Sequence, residues 1–292
     1  LKIVVLYGSK PSSNSLELVD TAVRLGHTVV DAPTEDVSSW VSNEGSRFWV
    51  GREEVTDADI CFLRSYGGGS CEQITRRISL LEHMEFAGIK VINSSYPFRR
   101  ARDKYSTQYT LQANGVPVPS TYTTESLARA YEMTTQMGEV VYKPILGSMG
   151  RGSMRFQDTD LAYNAYRTLD RLHHPLLIQK YVQTPGRDIR VFVIGGEVVG
   201  AVYKYLPEHS WKSNVAQGGR MVEESMSDEV LELGLRAAEV IELDYSGVDI
   251  LEGPEGPVVL EVNASPGWQG IKRATGRDYA KMIVEYGVSQ VE

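Results

Sequence analysis

Cysteine and histidine are scarce in this chain, and neither occurs in a pattern that builds a site. The 292 residues include only Cys61, Cys71 and five histidines. Two such cysteines give no disulfide framework and no zinc-ligand spacing. The histidines are scattered, and His173-His174 reads as a loop before a strand, so no histidine general base stands out. Long apolar runs are missing too. Nothing approaches the ~20 residues of a membrane span, and Leu1 to Leu6 is too short for a signal peptide. The expectation is a cytoplasmic protein with no membrane partner. An excess of positive charge is also lacking. Thirty Lys and Arg against 38 Asp and Glu leave a net charge of −8. That balance argues against nucleic-acid binding by bulk electrostatics, but it leaves room for a local basic pocket. Repeats and low-complexity tracts are absent.

What is present is an ordinary globular composition, 42% hydrophobic and 23% charged, in a chain long enough for two or three lobes. Over residues 1–93, strand and helix patterns alternate. Leu1–Tyr7, Thr28–Val30, Ile60–Arg64 and Lys90–Asn93 read as strands. Ser15–Gly26 and a stretch from Ser70 or Cys71 to Gly88 read as helices. This order predicts an α/β unit with a parallel sheet. The loop Arg64-Ser65-Tyr66-Gly67-Gly68-Gly69-Ser70 follows a strand and opens a helix, where ligands meet the carboxyl end of such a sheet. Residues 96–138 look helical, interrupted at Asn114–Pro119. A third section starts near Leu176 and ends in a helix over Asp278–Tyr286. The fold class is α/β with α+β lobes. The expected domains are 1–95, 96–182 and 183–292.

Three segments carry chemistry. Val248-Asp249-Ile250-Leu251 and Leu260-Glu261-Val262-Asn263 are strand-like and flank the turn-rich Glu252–Pro257, which predicts a hairpin. Period-two alternation puts Glu261 and Asn263 on one face, where Asp249 can join them. Three hard oxygen donors suit magnesium. Upstream, Lys143 ends the apolar strand Val140–Lys143, and burial there demands a partner. It is followed by a glycine-rich loop holding Gly147, Ser148, Gly150 and Gly152, and then by the strand Met154–Phe156. Glycines let backbone N–H groups close over a polyphosphate, which predicts a lid that orders on nucleotide. The lysine precedes the glycines and no helix follows, so this is not a Walker loop. Next come Gln179, Lys180, Tyr181 and Val182, a lobe connection able to offer backbone groups to an adenine edge. Asp188 and Arg190 then face a cleft.

Taken in order, these segments resemble the ATP-grasp superfamily, and within it the RimK-type carboxylate–amine ligases. The resemblance covers roughly residues 90–288. It is specific at Arg100–Lys104, Asp188–Arg190, Gly247–Leu251 and Glu261–Gly267. It implies an ATP-grasp fold behind an N-terminal parallel-sheet domain. It implies that Lys104 and Lys143 neutralise nucleotide phosphates, that Gln179–Val182 hold adenine and that Asp188 meets the ribose. Lys212, Ser213 and Asn214 match a family Arg-Ser-Asn beside the phosphates. Asp249, Glu261 and Asn263 would hold two Mg2+ or Mn2+ ions. Arg190 would steady the negative intermediate. Arg64, Tyr66, Lys204, Arg220, Ser265 and Gly267 would serve the substrates, with aromatics including Tyr203, Tyr205, Trp211 and Trp268 about a pterin-sized pocket. The partners implied are ATP, L-glutamate and an acceptor carboxylate. The acceptor favoured is tetrahydromethanopterin. A deazaflavin coenzyme, an amino-group carrier protein and a ribosomal-protein tail are the alternatives, and a non-catalytic nucleotide-binding module is a second reading. A homo-oligomer is left open.

Overall fold

The computed structural model describes residues 1–147, 150–207, 210–211 and 219–291. Lys2–Tyr7 (β1), Ser13–Arg24 (α1), Thr28–Pro33 (β2), Val37–Ser42 (β3), Gly45–Val50 (β4), Glu53–Glu54 (β5), Ile60–Leu63 (β6), Cys71–Phe86 (α2) and Lys90–Ile92 (β7) form the first section. Its main sheet has the order β2-β1-β6-β7 and is parallel throughout, as the strand–helix alternation predicts. Side chains of β1 and β6 alternate between two hydrophobic clusters. Val4, Leu6, Cys61 and Leu63 enter one, and Ile3, Val5, Ile60 and Phe62 enter the other. The antiparallel meander β3-β4-β5 was not expected from the sequence. Beyond Val37 the whole of β3 is exposed, so it has no apolar face to mark it.

Ser95–Arg102 (α3) and Lys104–Ala113 (α4) follow. Thr121–Thr124 (β8), Leu127–Met137 (α5), Val140–Lys143 (β9), Met154–Phe156 (β10), Thr159–Arg171 (α6) and Leu176–Lys180 (β11) build a central antiparallel sheet, ordered β10-β9-β11-β8. The stretch expected to be helical therefore contains β8. Its Thr-Tyr-Thr-Thr sequence is β-branched and aromatic, and it pairs with β11. The last section comprises Arg187–Ile194 (β12), Glu197–Tyr205 (β13), Arg220–Val222 (β14), Asp228–Ile241 (α7), Tyr245–Gly253 (β15), Gly256–Asn263 (β16), Gln269–Thr275 (α8) and Tyr279–Ser289 (α9). Its sheet is antiparallel, ordered β14-β13-β12-β15-β16.

The sheet of the first section and that of the last share both hydrophobic clusters. Ile189, Val191 and Val193 of β12 join Val4 and Leu63, whereas Phe192 and Ile194 join Val5 and Phe62. Phe98, Leu111 and Val116 also enter the first cluster, so residues 95–118 share the core of the first and last sections, while the Lys104 N–H reaches the Ile145 carbonyl of the central one. The central sheet keeps a separate core around Val140, Tyr142, Tyr166 and Ile178. Asn93 fixes the junction. Fully buried, it donates to the Tyr245 and Ala264 carbonyls at 2.8 and 2.7 Å and accepts from the Tyr245 N–H at 3.0 Å. Glu17 of α1 adds a second tie. It accepts from Trp268 Nε1 at 2.8 Å and Gln269 Nε2 at 2.6 Å, and pairs with Lys272.

Candidate active site

The hairpin predicted from the sequence is β15–β16, with Asp249 directly opposite Glu261 and Gly247 opposite Asn263. Asn263 Nδ2 donates to the Gly247 carbonyl at 3.2 Å and lies 3.4 Å from Asp249 Oδ2. On the other flank of β15, Arg190 of β12 pairs with Asp249 in register. Its Nε and Nη2 each reach an Asp249 oxygen at 2.8 Å, a two-pronged contact that fixes the carboxylate plane. Lys204 of β13 sits opposite Asp188, and its Nζ lies 2.7 Å from Asp249 Oδ1 and 3.8 Å from Asp188 Oδ2. Burial alone would raise the Asp249 pKa. Arg190 and Lys204 outweigh it and hold the carboxyl well below the usual range. Asp249 is therefore ionised at every physiological pH.

The opposite wall belongs to the central sheet. Lys143, at the end of β9, donates to Gln179 Oε1 at 2.6 Å, and Gln179 Nε2 in turn donates to Thr121 Oγ1 at 2.9 Å. Lys104, the first residue of α4, donates to the Gly147 carbonyl at 2.6 Å. Desolvation brings Lys143 down to about 8. Lys104 works in the same direction, and Glu261 and Asp188 work against it. The N–H groups of Lys180 and Tyr181 are spent on Ser120 and Glu139, at 2.8 and 2.9 Å. The Tyr181 ring is covered by the Arg155 guanidinium at 3.8 Å.

These walls enclose a cavity of about 630 Å³. Lys104, Lys143, Gly147, Gly150, Gln179–Val182, Asp188, Arg190, Lys204, Asp249, Glu261, Asn263, Ser265, Gly267 and Arg64 all line it. Other expectations fail. Tyr66 is buried, donates its hydroxyl to the Ser95 carbonyl and packs edge-on against Phe98. Trp268 is completely buried in the core beside Tyr279. Large apolar rings gain most by full burial, and both find hydrogen-bond partners there. Tyr203 is buried under Arg187, Tyr205 is stacked by Arg220, and Arg220 itself is exposed away from the cavity. Of the aromatics expected in a pterin pocket, only Trp211 faces the cavity. Gly152 shapes the loop without lining it. Ser148, Lys212, Ser213 and Asn214 lie outside the described residues.

Sequence reading missed Lys10, Ser12, Asn14, Arg151 and Ser153, which also line the cavity. The first three follow β1, at the carboxyl end of a parallel sheet, and that position was the available signal.

Two predictions arise here. Gly152 has φ +74°, and a Cβ on it would lie 2.9 Å from Pro144 Cγ. Gly152→Ala should cost about 1 kcal/mol or more of stability, read as a shift in the urea midpoint. Lys143 gives a pH dependence. A lysine that holds phosphate does so when protonated, so with Lys143 in that role ATP affinity in the free protein should be flat below pH 8 and fall above it. The fall approaches tenfold per pH unit. Calorimetry in buffers of different ionisation enthalpy should show proton uptake on ATP binding near pH 8. Lys143→Arg should remove both effects, because guanidinium stays charged.

The oxygen donors of Asp249, Glu261 and Asn263 fit a hard divalent cation. Among the described residues none donates a hydrogen bond to the Glu261 carboxylate, which stands at the cavity wall.

The chain is 31% identical over 278 residues to the tetrahydromethanopterin:α-L-glutamate ligase of Methanosarcina acetivorans, covering 86% of each protein. It is 33% identical over 211 residues to a probable α-L-glutamate ligase of Legionella pneumophila, covering 71% of this chain and 70% of the relative. Its fold matches the ATP-grasp ligase PsnB, solved with a minimal precursor, Mg and ADP. The TM-score is 0.75 at 23% identity, over 99% of this chain and 98% of that one. Residues 101–286 match the RimK-like ATP-grasp domain, and the chain belongs to that family.

Proposed function

We propose that this chain is an ATP- and magnesium-dependent carbon–nitrogen ligase that adds L-glutamate to an acceptor carboxylate, with tetrahydromethanopterin as the acceptor. The observation that carries the reading is the convergence of Lys104 and Lys143 with Asp249, Glu261 and Asn263 on one cavity. The names of the relatives support glutamate and the pterin.

The acceptor carboxylate attacks the γ-phosphate of ATP, releasing ADP and leaving an acyl phosphate. The glutamate amine attacks that carbonyl, phosphate departs and an amide remains. Lys104 and Lys143 neutralise the phosphate chain. Gln179 holds the Lys143 ammonium in place, and Thr121 holds Gln179. Asp188 meets the ribose, and the segment from Gln179 to Val182 backs the adenine. Asp249, Glu261 and Asn263 would hold two divalent cations, magnesium or manganese. Bound there, the ions supply charge stabilisation to the transferring phosphoryl group. Arg190 keeps Asp249 ionised and places positive charge beside the developing negative charge. Walls built from two sections of the chain keep water from the acyl phosphate.

The test is product analysis with ATP, magnesium, L-glutamate and the pterin. A one-to-one glutamyl adduct with stoichiometric ADP and phosphate is expected. AMP as product would overturn the chemistry. An adduct only on a deazaflavin, a carrier protein or a ribosomal-protein tail would replace the acceptor and leave the ATP site standing.

A further inference from the structure

The described residues include three fully buried cations, and one of them has no anion. Arg77 pairs with Glu35 at 3.1 Å, and Lys204 pairs with Asp249 at 2.7 Å. Arg64 is equally buried, at 7% exposure, yet among the described residues no carboxylate forms an ion pair with it. Its guanidinium donates to the Tyr245 hydroxyl at 2.9 Å and the Pro266 carbonyl at 3.0 Å. It lies 4.7 Å from the centre of the Trp268 ring, and its Nε has no acceptor. Neutral acceptors and a ring face offset only part of the cost of taking a cation out of water. Arg64 also forms part of the cavity wall, beside Asn14, Pro266 and Gly267. The same wall carries Lys10 and the first turn of α1 from Ser12, where backbone N–H groups favour negative charge. Four of the other cavity cations are committed elsewhere. Arg190 and Lys204 hold Asp249, and Lys104 and Lys143 stand on the nucleotide side.

We propose that Arg64 is the specificity-determining contact for a substrate carboxylate, and that the ligand supplies the anion that none of the described residues provides. The inference rests on the ligase reading for its substrate class. The carboxylate belongs either to the incoming glutamate or to the acceptor, and the test separates them. In this proposal Arg64 acts on the choice of substrate and not on ATP.

The experiment compares wild type, Arg64→Gln and Arg64→Lys. Each is assayed with L-glutamate, L-glutamine and glutamate α-amide at saturating acceptor, then with varied acceptor at saturating glutamate. In Arg64→Gln the preference for one carboxylate substrate over its neutral amide should fall at least tenfold, with KM carrying the loss. If glutamate is the source, the amide series shows the loss. If the acceptor is the source, only the acceptor KM rises. ADP affinity by calorimetry should be unchanged in both variants, and Arg64→Lys should recover part of the preference. An equal loss on charged and neutral substrates, or a parallel loss of ADP affinity, would make Arg64 a purely structural residue and overturn the inference. A wild type that forms no glutamyl product would sink the ligase reading instead. Thermal shift with L-glutamate and glutarate then decides the inference alone. Stabilisation of wild type that is lost in Arg64→Gln supports it, and no stabilisation of wild type overturns it.

Discussion

Glu261→Ala should remove ligase turnover while the protein stays folded. Glu261 stands at the cavity wall, opposite Asp249 in the hairpin, and no described residue donates a hydrogen bond to it. Truncating it breaks no hydrogen bond among the described residues and opens no apolar cavity, so the change in stability should stay within about 0.5 kcal/mol. Turnover is another matter. A group that stabilises charge in the transition state is worth roughly 10²–10³ in rate, and Glu261 is one of the two carboxylates of the proposed cation site. The measurement is phosphate release at saturating ATP and magnesium, paired with a urea melt. Near-normal turnover would remove Glu261 from the metal site, and a large drop in the urea midpoint would show that it serves the fold.

Asp249→Ala should behave in the opposite way towards stability. Its carboxylate is the common partner of Arg190 and Lys204, and all three are largely buried. Removing it leaves two cations facing each other, with Asp188 at 3.8 Å from Lys204 and Glu261 across the hairpin as the remaining anions. Breaking a buried ion pair by deleting one partner costs about 3–5 kcal/mol. The pH dependence follows from the depressed pKa. The Asp249 contribution is complete above the unfolded carboxyl value of about 3.9 and is lost as pH falls through the lower folded value. Wild type should therefore pull ahead of Asp249→Ala at neutral pH, with the gap closing only in strong acid. Urea melts across pH give the curve. A gap that is small at pH 7 would mean that solvent, and not Asp249, compensates the two cations.

The β15–β16 hairpin was legible because two properties coincide there. Period-two alternation fixes which side chains share a face, and Gly253 to Gly256 marks the turn. Lys143 was legible for the related reason that a lysine closing an apolar strand needs a purpose. The cationic cage around Asp249 was not, because it depends on the register of β12 and β13 against β15, which no local pattern encodes. Tyr66 and Trp268 misled because an aromatic in a glycine-flanked loop looks the same in sequence whether it faces ligand or core. Trp268 is core because α1 and α9 close over it, a contact between opposite ends of the chain. The β8 and β3 strands were hidden by sequences without an apolar stripe, half-buried in one case and exposed in the other.

The shared cores of the first and last sections bear on how such ligases can be re-engineered. Exchanging residues 1–93 for those of a relative would look like swapping an acceptor-recognition cassette. Here it would also exchange Val5, Phe62 and Ile92, which pack around Trp268, Tyr279 and Ile283, and it would replace Asn93 while leaving its junction partners Tyr245 and Ala264 behind. A graft cut at that boundary would inherit mismatched packing on both faces of the sheet, and volume errors in a dense interior cost about 1–3 kcal/mol apiece. The workable cut runs around the central sheet, whose core is its own. The central section is thus the transplantable part of this molecule, and residues 1–93 are welded to the sheet that carries Asp249 and Glu261.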